Sequence, residues 1–392
     1  MVKPINYKIS HNVLYGVFIF LLLLEVVVQV FDYSDYNFRI KAISKGLLII
    51  TVFTFSFFYS YRKDILIKAF LLIIIFFIGQ FFLTNKHLVF NQSLWFEITK
   101  GDIYILFKYT FILFFVAFFE RIPNCQDLIE RLIRLFYFFM IVNTVFIIMG
   151  PLLNFEFLKS YPFSERFGFQ GLIQLVGESV HLYIIIISLQ YLVSLKTKKY
   201  GLFFFFLLGG IMLGKKAMLL YVFLLFIVHL VHHRRYFVLS IIGGVSVLSI
   251  IFYDFMIDVF LEIFPFWSDL YKSEGIITVI FSTRDILFQQ SIEYIQTNWS
   301  LLNYFFGGVD FLNFRSEFGF FDLFLTLGVL GTIVYLWFIY EILFKKQRAI
   351  TISLISIILI IEFVSGGLFI NVLPMLFLYL MAKYLKSLYK EV

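Results

Sequence analysis

The stretch Val13–Phe31 holds one charged residue, Glu25, and the runs Leu202–Leu213 and Ser353–Ile361 hold none. Runs of this kind decide the fold class before any motif is considered. Apolar residues make up 61% of the chain and charged residues 15%, with a mean hydropathy of +0.95. A soluble domain is roughly 45–50% apolar and about 25% charged, and even a large one leaves much of its surface in water. Here the solvent has to be a bilayer, in which every backbone N–H and C=O must pair internally, so only helices or a closed barrel can cross. Barrel strands alternate apolar and polar residues. These runs are apolar on every face and are therefore helices. The expectation is an all-α, polytopic integral membrane protein, a single transmembrane domain over residues 1–392.

About twenty apolar residues cross the hydrocarbon. On that ruler about twelve spans are expected, near 13–31, 46–61, 66–83, 103–119, 134–150, 171–195, 200–213, 217–231, 236–256, 319–343, 350–365 and 368–383. The first run is too long for a signal-peptide core and is read as a retained span. Lys and Arg stay on the cytoplasmic side. Arg62, Lys63, Lys68, Arg121, Arg131, Arg134, Lys196, Lys198, Lys199, Arg234, Arg235, Lys345, Lys346 and Arg348 then fall inside together with both termini. Arg39, Lys41 and Lys45 resist, since they land outside on the first hairpin. Two external segments remain, Pro151–Gln170 and a long loop over 257–318. In the long loop, Thr283 is placed to cap an amphipathic helix with Leu287, Phe288, Ser291, Ile292, Ile295 and Trp299 on its apolar face. Its aromatics, Trp267, Phe281 and Tyr304 among them, suit sugar stacking or a membrane belt equally.

Ionisable groups inside spans are costly and by default functional. Glu25, Lys108, Glu178, His181 and Glu362 are of this kind, with Asp322 just inside the tenth span. All lie in the outer halves of their spans, which points to a polar cavity open to the outside. Lys215-Lys216, at the tip of a tight turn, repel each other unless something anionic compensates. They are either two solvated lysines or a phosphate or pyrophosphate site, to which Arg166, Arg284 and Arg315 could add bidentate contacts. No Gly-rich phosphate loop, zinc spacing or nucleophile elbow is present, and nothing points to a metal, a cofactor or nucleic acid. His232-His233-Arg234-Arg235 reads as an anchoring basic cluster, and the lone Cys125 excludes a disulfide within the chain.

Ser316-Glu317, followed by Gly328-Val329-Leu330-Gly331, resembles the O-antigen ligase/polymerase superfamily, in which an acidic residue or His ends the long external loop and a Gly-x-x-Gly span follows. Gly214-Lys215-Lys216-Ala217 is similar to that family's small-Ser-Arg-small turn, and Ser282-Thr283-Arg284 and Gly307-Gly308 to the start and end of its large loop. Arg166-Phe167-Gly168 matches the arginine of its earlier outer loop. The chain departs from the pattern where lysine replaces the turn arginine. It departs again where Glu317 stands in place of the ligases' His, which favours a Wzy-type polymerase over a ligase. The resemblance implies a metal-independent glycosyltransferase of the bacterial cytoplasmic membrane, polymerising undecaprenyl-pyrophosphate-linked repeat units on the outer face. Lys215, Lys216, Arg166, Arg284 and Arg315 would hold the pyrophosphate, with Arg284 also counted as catalytic. Glu317, or secondarily Asp322, would serve the acceptor hydroxyl. Glu178, His181 and Lys108 would line the polar cavity. The implied partners are lipid-linked glycan donor and acceptor, membrane lipid and a chain-length regulator protein. The rival reading is a lipid-linked oligosaccharide flippase, which would carry paired halves and broken helices; a non-catalytic scaffold is a third.

Overall fold

The computed structural model describes residues 7–32, 46–51, 53–54, 60–83, 92–153, 155–161, 166–173, 175–238, 240, 243, 265–311 and 313–388. Among them, turns and one isolated antiparallel bridge between Lys159 and Phe169 apart, the chain is helical. The helices are α1 (Tyr7–Asp32), α2 (Lys63–Phe81), α3 (Gln92–Phe119), α4 (Cys125–Leu153), α5 (Val176–Thr197), α6 (Gly201–Met212), α7 (Lys216–His232), α8 (Pro265–Glu274), α9 (Ile276–Phe281), α10 (Arg284–Asn298), α11 (Leu301–Phe306), α12 (Gly319–Ile339), α13 (Ala349–Ser365) and α14 (Val372–Leu388). Six helices among the described residues are long and apolar enough to cross a membrane: α1, α2, α3 from Gly101, α4, α5, and α12 continued to Phe344 by a π turn. Shorter apolar helices are α6, α7 and α13.

Two helices are buried on every face, α5 with the polar side chains of His181, Ser188 and Gln190 included. In α14 every residue from Val372 to Ala382 is buried, and in α5 the run Val180–Leu192 is buried throughout. A helix without an exposed face belongs inside a bundle. The two pack on each other, with α4 against α14, α6 between α4 and α5, and α7 against α13. On the other side α12 packs against α2, α11 and α13. The outer helices carry the exposed apolar side chains, such as Ile67, Ile74 and Phe77 on α2.

At the start of α2, Arg62 donates to Glu120 at 2.8 Å and also to Asp64 and Glu341. Lys68 reaches Glu341 at 2.5 Å, Lys383 pairs with Glu120, and the Tyr379 hydroxyl donates to Glu120 at 3.1 Å. This network ties the ends of α2, α3, α12 and α14 together. Residues expected only as orientation signals thus have packed ionic partners.

The middle of α12 is interrupted. Gly328 has φ 63° and ψ −171°, a backbone region essentially confined to glycine. The break is filled by backbone. Gly307 and Phe305 press against Gly328 where any side chain would stand, and the Gly308 amide donates to the Leu325 carbonyl at 2.9 Å. Asn303 holds this plug in place, donating to Gly79 O at 2.8 Å and Gly307 O at 2.7 Å, while Trp299 Nε1 donates to Gly308 O at 2.7 Å. The second glycine of the motif, Gly331, sits against Ile75 of α2.

Several sequence expectations change here. The expected span over 171–195 begins as a helix only at Val176; Leu172 before it is tied by its amide to Asn143 Oδ1 at 2.6 Å. The described part of the long segment folds into four short helices, α8 to α11. Thr283 precedes α10 but does not cap it: its φ is 69° and its hydroxyl bonds the Ser282 carbonyl. A left-handed residue turns its side chain away from the free amides of the first turn. The buried face of α10 is Ser291, Tyr294 and Ile295, and Phe288 remains 38% exposed. The expected span 46–61 is described only in part, helical over 46–51; most of 236–256 lies outside the described residues, as do Arg39, Lys41 and Lys45, residues 257–264 and Pro162–Glu165.

Candidate functional site

The loop before α5 is the first wall of the site. The Ser160 amide donates to Gly168 O at 2.8 Å and the Gln170 amide to Leu158 O at 2.8 Å, closing the loop on itself. It then docks on the α6–α7 turn, where the Phe169 amide donates to Met212 O at 2.8 Å and Ser160 Oγ to Leu213 O at 3.0 Å. Gly214, at φ 67°, lets the turn lie against the Phe167 carbonyl, where a Cβ would overlap it. These contacts bring Arg166 beside Lys215, residues almost fifty positions apart in sequence. The Arg166 guanidinium lies 3.9 Å from the Tyr161 ring centroid and the Lys215 ammonium 4.1 Å from it. Both cations are drawn to the π-system of one ring.

The second wall comes from the α9–α10 corner and the turn before α12. Arg315 donates to Glu317 Oε1 at 2.6 Å, and Arg284 Nε lies 3.5 Å from Glu317 Oε2. Glu317 takes φ 60°, and Ser282 and Thr283 take φ 55° and 69°. Three non-glycine residues in left-handed conformation therefore cluster at this corner, where local strain is held by the surrounding packing. The turn is fixed by Asp322, whose Oδ1 accepts the Ser316 amide at 2.7 Å and the Ser316 hydroxyl at 2.8 Å.

Between the walls lies a cavity of about 470 Å³. Lys108, Arg166, Lys215, Lys216, Arg284 and Arg315 line it together with the carboxylates Glu317 and Asp322, and His181 contributes to its floor. Ser365 to Gly367 and Asn371, around the α13–α14 connection, complete it. Eight of the sequence-derived site residues and His181 are thus in one place. Glu178 is not: it is fully buried beside the cavity and does not line it. The two turn lysines also prove different. Lys215 faces Tyr161 and Arg166, while the Lys216 ammonium donates to the Val279 carbonyl of α9. Asp322 is committed to Ser316 through one oxygen, which makes it a holder of the Glu317 turn more than a base. Tyr161 escaped the sequence reading because, among 24 tyrosines, nothing in its neighbourhood marks it out.

Compared with protein-family models, curated proteins and solved structures, the chain matches none. The chemistry of the cavity therefore has to carry the functional argument. Six cationic side chains surround two carboxylates, which is an electrostatic environment for a polyanion. Lys215 shows the strain of that arrangement. Burial and the neighbouring Arg166 and Arg284 push its ammonium down from 10.5 to about 8, with Glu317 opposing. Burial likewise pushes the Tyr161 phenol up, against the pull of Arg166 and Arg284. Among the described residues no group of three or more His, Cys, Asp or Glu is arranged to hold a metal ion.

Proposed function

We propose that this chain is a membrane glycosyltransferase of the polysaccharide-polymerase type, acting on glycans linked to undecaprenyl pyrophosphate at the outer face of the bacterial cytoplasmic membrane. The observation that carries the reading is the convergence of Arg166, Lys215, Arg284 and Arg315 on one cavity beside Glu317. In such a reaction the bond from the anomeric carbon to the pyrophosphate breaks and a bond to the acceptor hydroxyl forms. The leaving group takes the electron pair, and charge develops on its oxygens. Preorganised cations aimed at that charge supply most of what catalysis needs. The acceptor proton passes to a carboxylate, and Glu317 is the one held at the cavity by two guanidinium groups. The reading includes the expected topology of about twelve spans with both termini cytoplasmic. It also includes the lipid-linked donor and acceptor, and a separate protein that regulates chain length.

The interrupted α12 is what a flippase would share with this chain, since transporters use broken helices at their substrate sites. Reconstituted protein separates the two. Lipid-linked repeat units supplied at the cavity face should be joined into longer chains. Arg284→Glu should abolish long products while the protein still inserts, and Glu317→Gln should leave single repeat units unjoined. Transbilayer movement of the substrate without chain growth would favour the flippase, and normal chain lengths in Arg284→Glu would remove the pyrophosphate assignment.

A further inference from the structure

Glu362, in α13, is 1% exposed and does not line the cavity, yet the structures behind the cavity wall converge on it. Its Oε2 accepts the Leu368 amide at 2.7 Å and its Oε1 the Phe369 amide at 3.3 Å. His181 approaches from α5, with Nε2 3.5 Å from Glu362 Oε2 and Nδ1 2.8 Å from the Gly177 carbonyl. A carbonyl only accepts, so Nδ1 carries a hydrogen, and for the imidazole to hold the carboxylate a second proton must lie between Nε2 and Oε2. On a third side, Gly319 backs onto the Glu362 carboxylate so closely that any Cβ there would overlap it. Immediately beyond α13, Gly366 lies against the Glu317 carbonyl, where a Cβ would come within 2.5 Å.

One buried carboxylate therefore joins three things: the cavity floor at His181, the wall running from Gly366 to Asn371, and the first residue of α12, two positions after Glu317. A charged group is costly inside a membrane bundle, and neutral side chains could tie a helix end to the next loop. What a carboxylate adds is two acceptor oxygens in fixed directions, one for each amide, with an imidazole against the oxygen that accepts the Leu368 amide. We infer that Glu362, oriented by His181, is a positioning residue that fixes the Glu317 turn and the opposing Gly366–Asn371 wall in their mutual register. The inference rests on the reading of Glu317 as the group that receives the acceptor proton.

The test is Glu362→Gln in the full-length protein, reconstituted and supplied with lipid-linked repeat units. Gln keeps the shape but sets an NH2 against one of the two backbone amides. The turnover number should fall on the order of 100-fold, the effect of a small misplacement at a reacting centre. The donor KM should stay within about 3-fold, because Arg166, Lys215 and Arg284 sit on other elements and only Arg315 shares the turn. Gly319→Ala, which displaces the same carboxylate from the opposite side, should reproduce that split. Unchanged turnover in both variants would overturn the inference, as would a parallel loss of affinity for a pyrophosphate diester. Amide hydrogen exchange supplies a readout independent of the reaction. In Glu362→Gln, exchange should quicken at Leu368, Phe369 and the Ser316–Gly319 turn but not along α10. Unaltered exchange at the turn would overturn the positioning role. A wild-type protein that joins no lipid-linked units would count against the polymerase reading alone.

Discussion

Lys215 gives the cation cluster a measurable signature in pH. Its ammonium is held down to about 8 from 10.5 by burial first and by Arg166 and Arg284 next. An anion seated among these groups removes the repulsion and restores the charged form, so binding above about pH 8 takes up a proton. If binding restores the full 10.5, the linkage relation makes affinity fall about ten-fold between about pH 7 and about pH 9. The direction is fixed: the empty site loses the Lys215 charge as pH rises, so the anion binds less well. The probe should be a pyrophosphate diester, whose two phosphates stay singly ionised across that range. Calorimetry in two buffers of different ionisation enthalpy reads the proton uptake directly. Burial, Arg166 and Arg284 hold Lys216 down to about 8 as well, so Lys215→Arg should lessen the slope and the pair Lys215→Arg with Lys216→Arg should flatten it. The same slope in Lys215→Arg, or pH-independent binding by the wild type, would refute the assignment of that charge to the anion site. The linkage also runs to folding. Between about pH 8 and about 10.5 the unfolded chain binds more protons at this position, so Lys215 makes the empty protein more stable as pH rises through that window.

Gly328→Ala should destabilise the protein by about 2–5 kcal/mol, combining a backbone conformation closed to alanine with a clash against Gly307 and Phe305. Thermal unfolding in detergent measures it, and an unchanged midpoint would mean the break does not persist. Thr283→Gly should act in the opposite sense, stabilising by about 1 kcal/mol by relieving a left-handed β-branched residue that forms no cap; a loss of stability would show that the Thr283 side chain contributes more than its backbone costs.

The two scales of this molecule were unequally legible. Apolar runs announced α2, α4, α12 and α14 because a helix in lipid has no other way to satisfy its backbone. The cations of the cavity were visible one by one, since a lysine or arginine in such a chain is conspicuous. Their meeting was expected in part, because lysines and arginines on one side of the bundle could serve a single anion. The contacts that produce it were not: Phe169 to Met212 and Ser160 to Leu213 are hydrogen bonds to backbone carbonyls, which any sequence can supply. The Thr283 cap failed for a related reason. Threonine at a helix start is a good rule for an extended residue, and the corner between α9 and α10 forces a left-handed one. Glu178 and His181 share a helix face by spacing, yet only His181 reaches the cavity, because the position of a wall depends on the neighbouring helix and not on the period.

The plug at Gly328 also bears on how the protein is made. Until Gly307, Gly308 and Asn303 dock, the interrupted middle of α12 leaves backbone groups without partners, which lipid penalises by several kcal/mol each. The plug in turn needs Gly79 of α2 as an anchor. Completion of α12 thus depends on a helix more than two hundred residues earlier in the chain and on a segment that must fold back against it. The newly inserted chain should accordingly pass through a stage in which α12 is shielded by something other than its final neighbours.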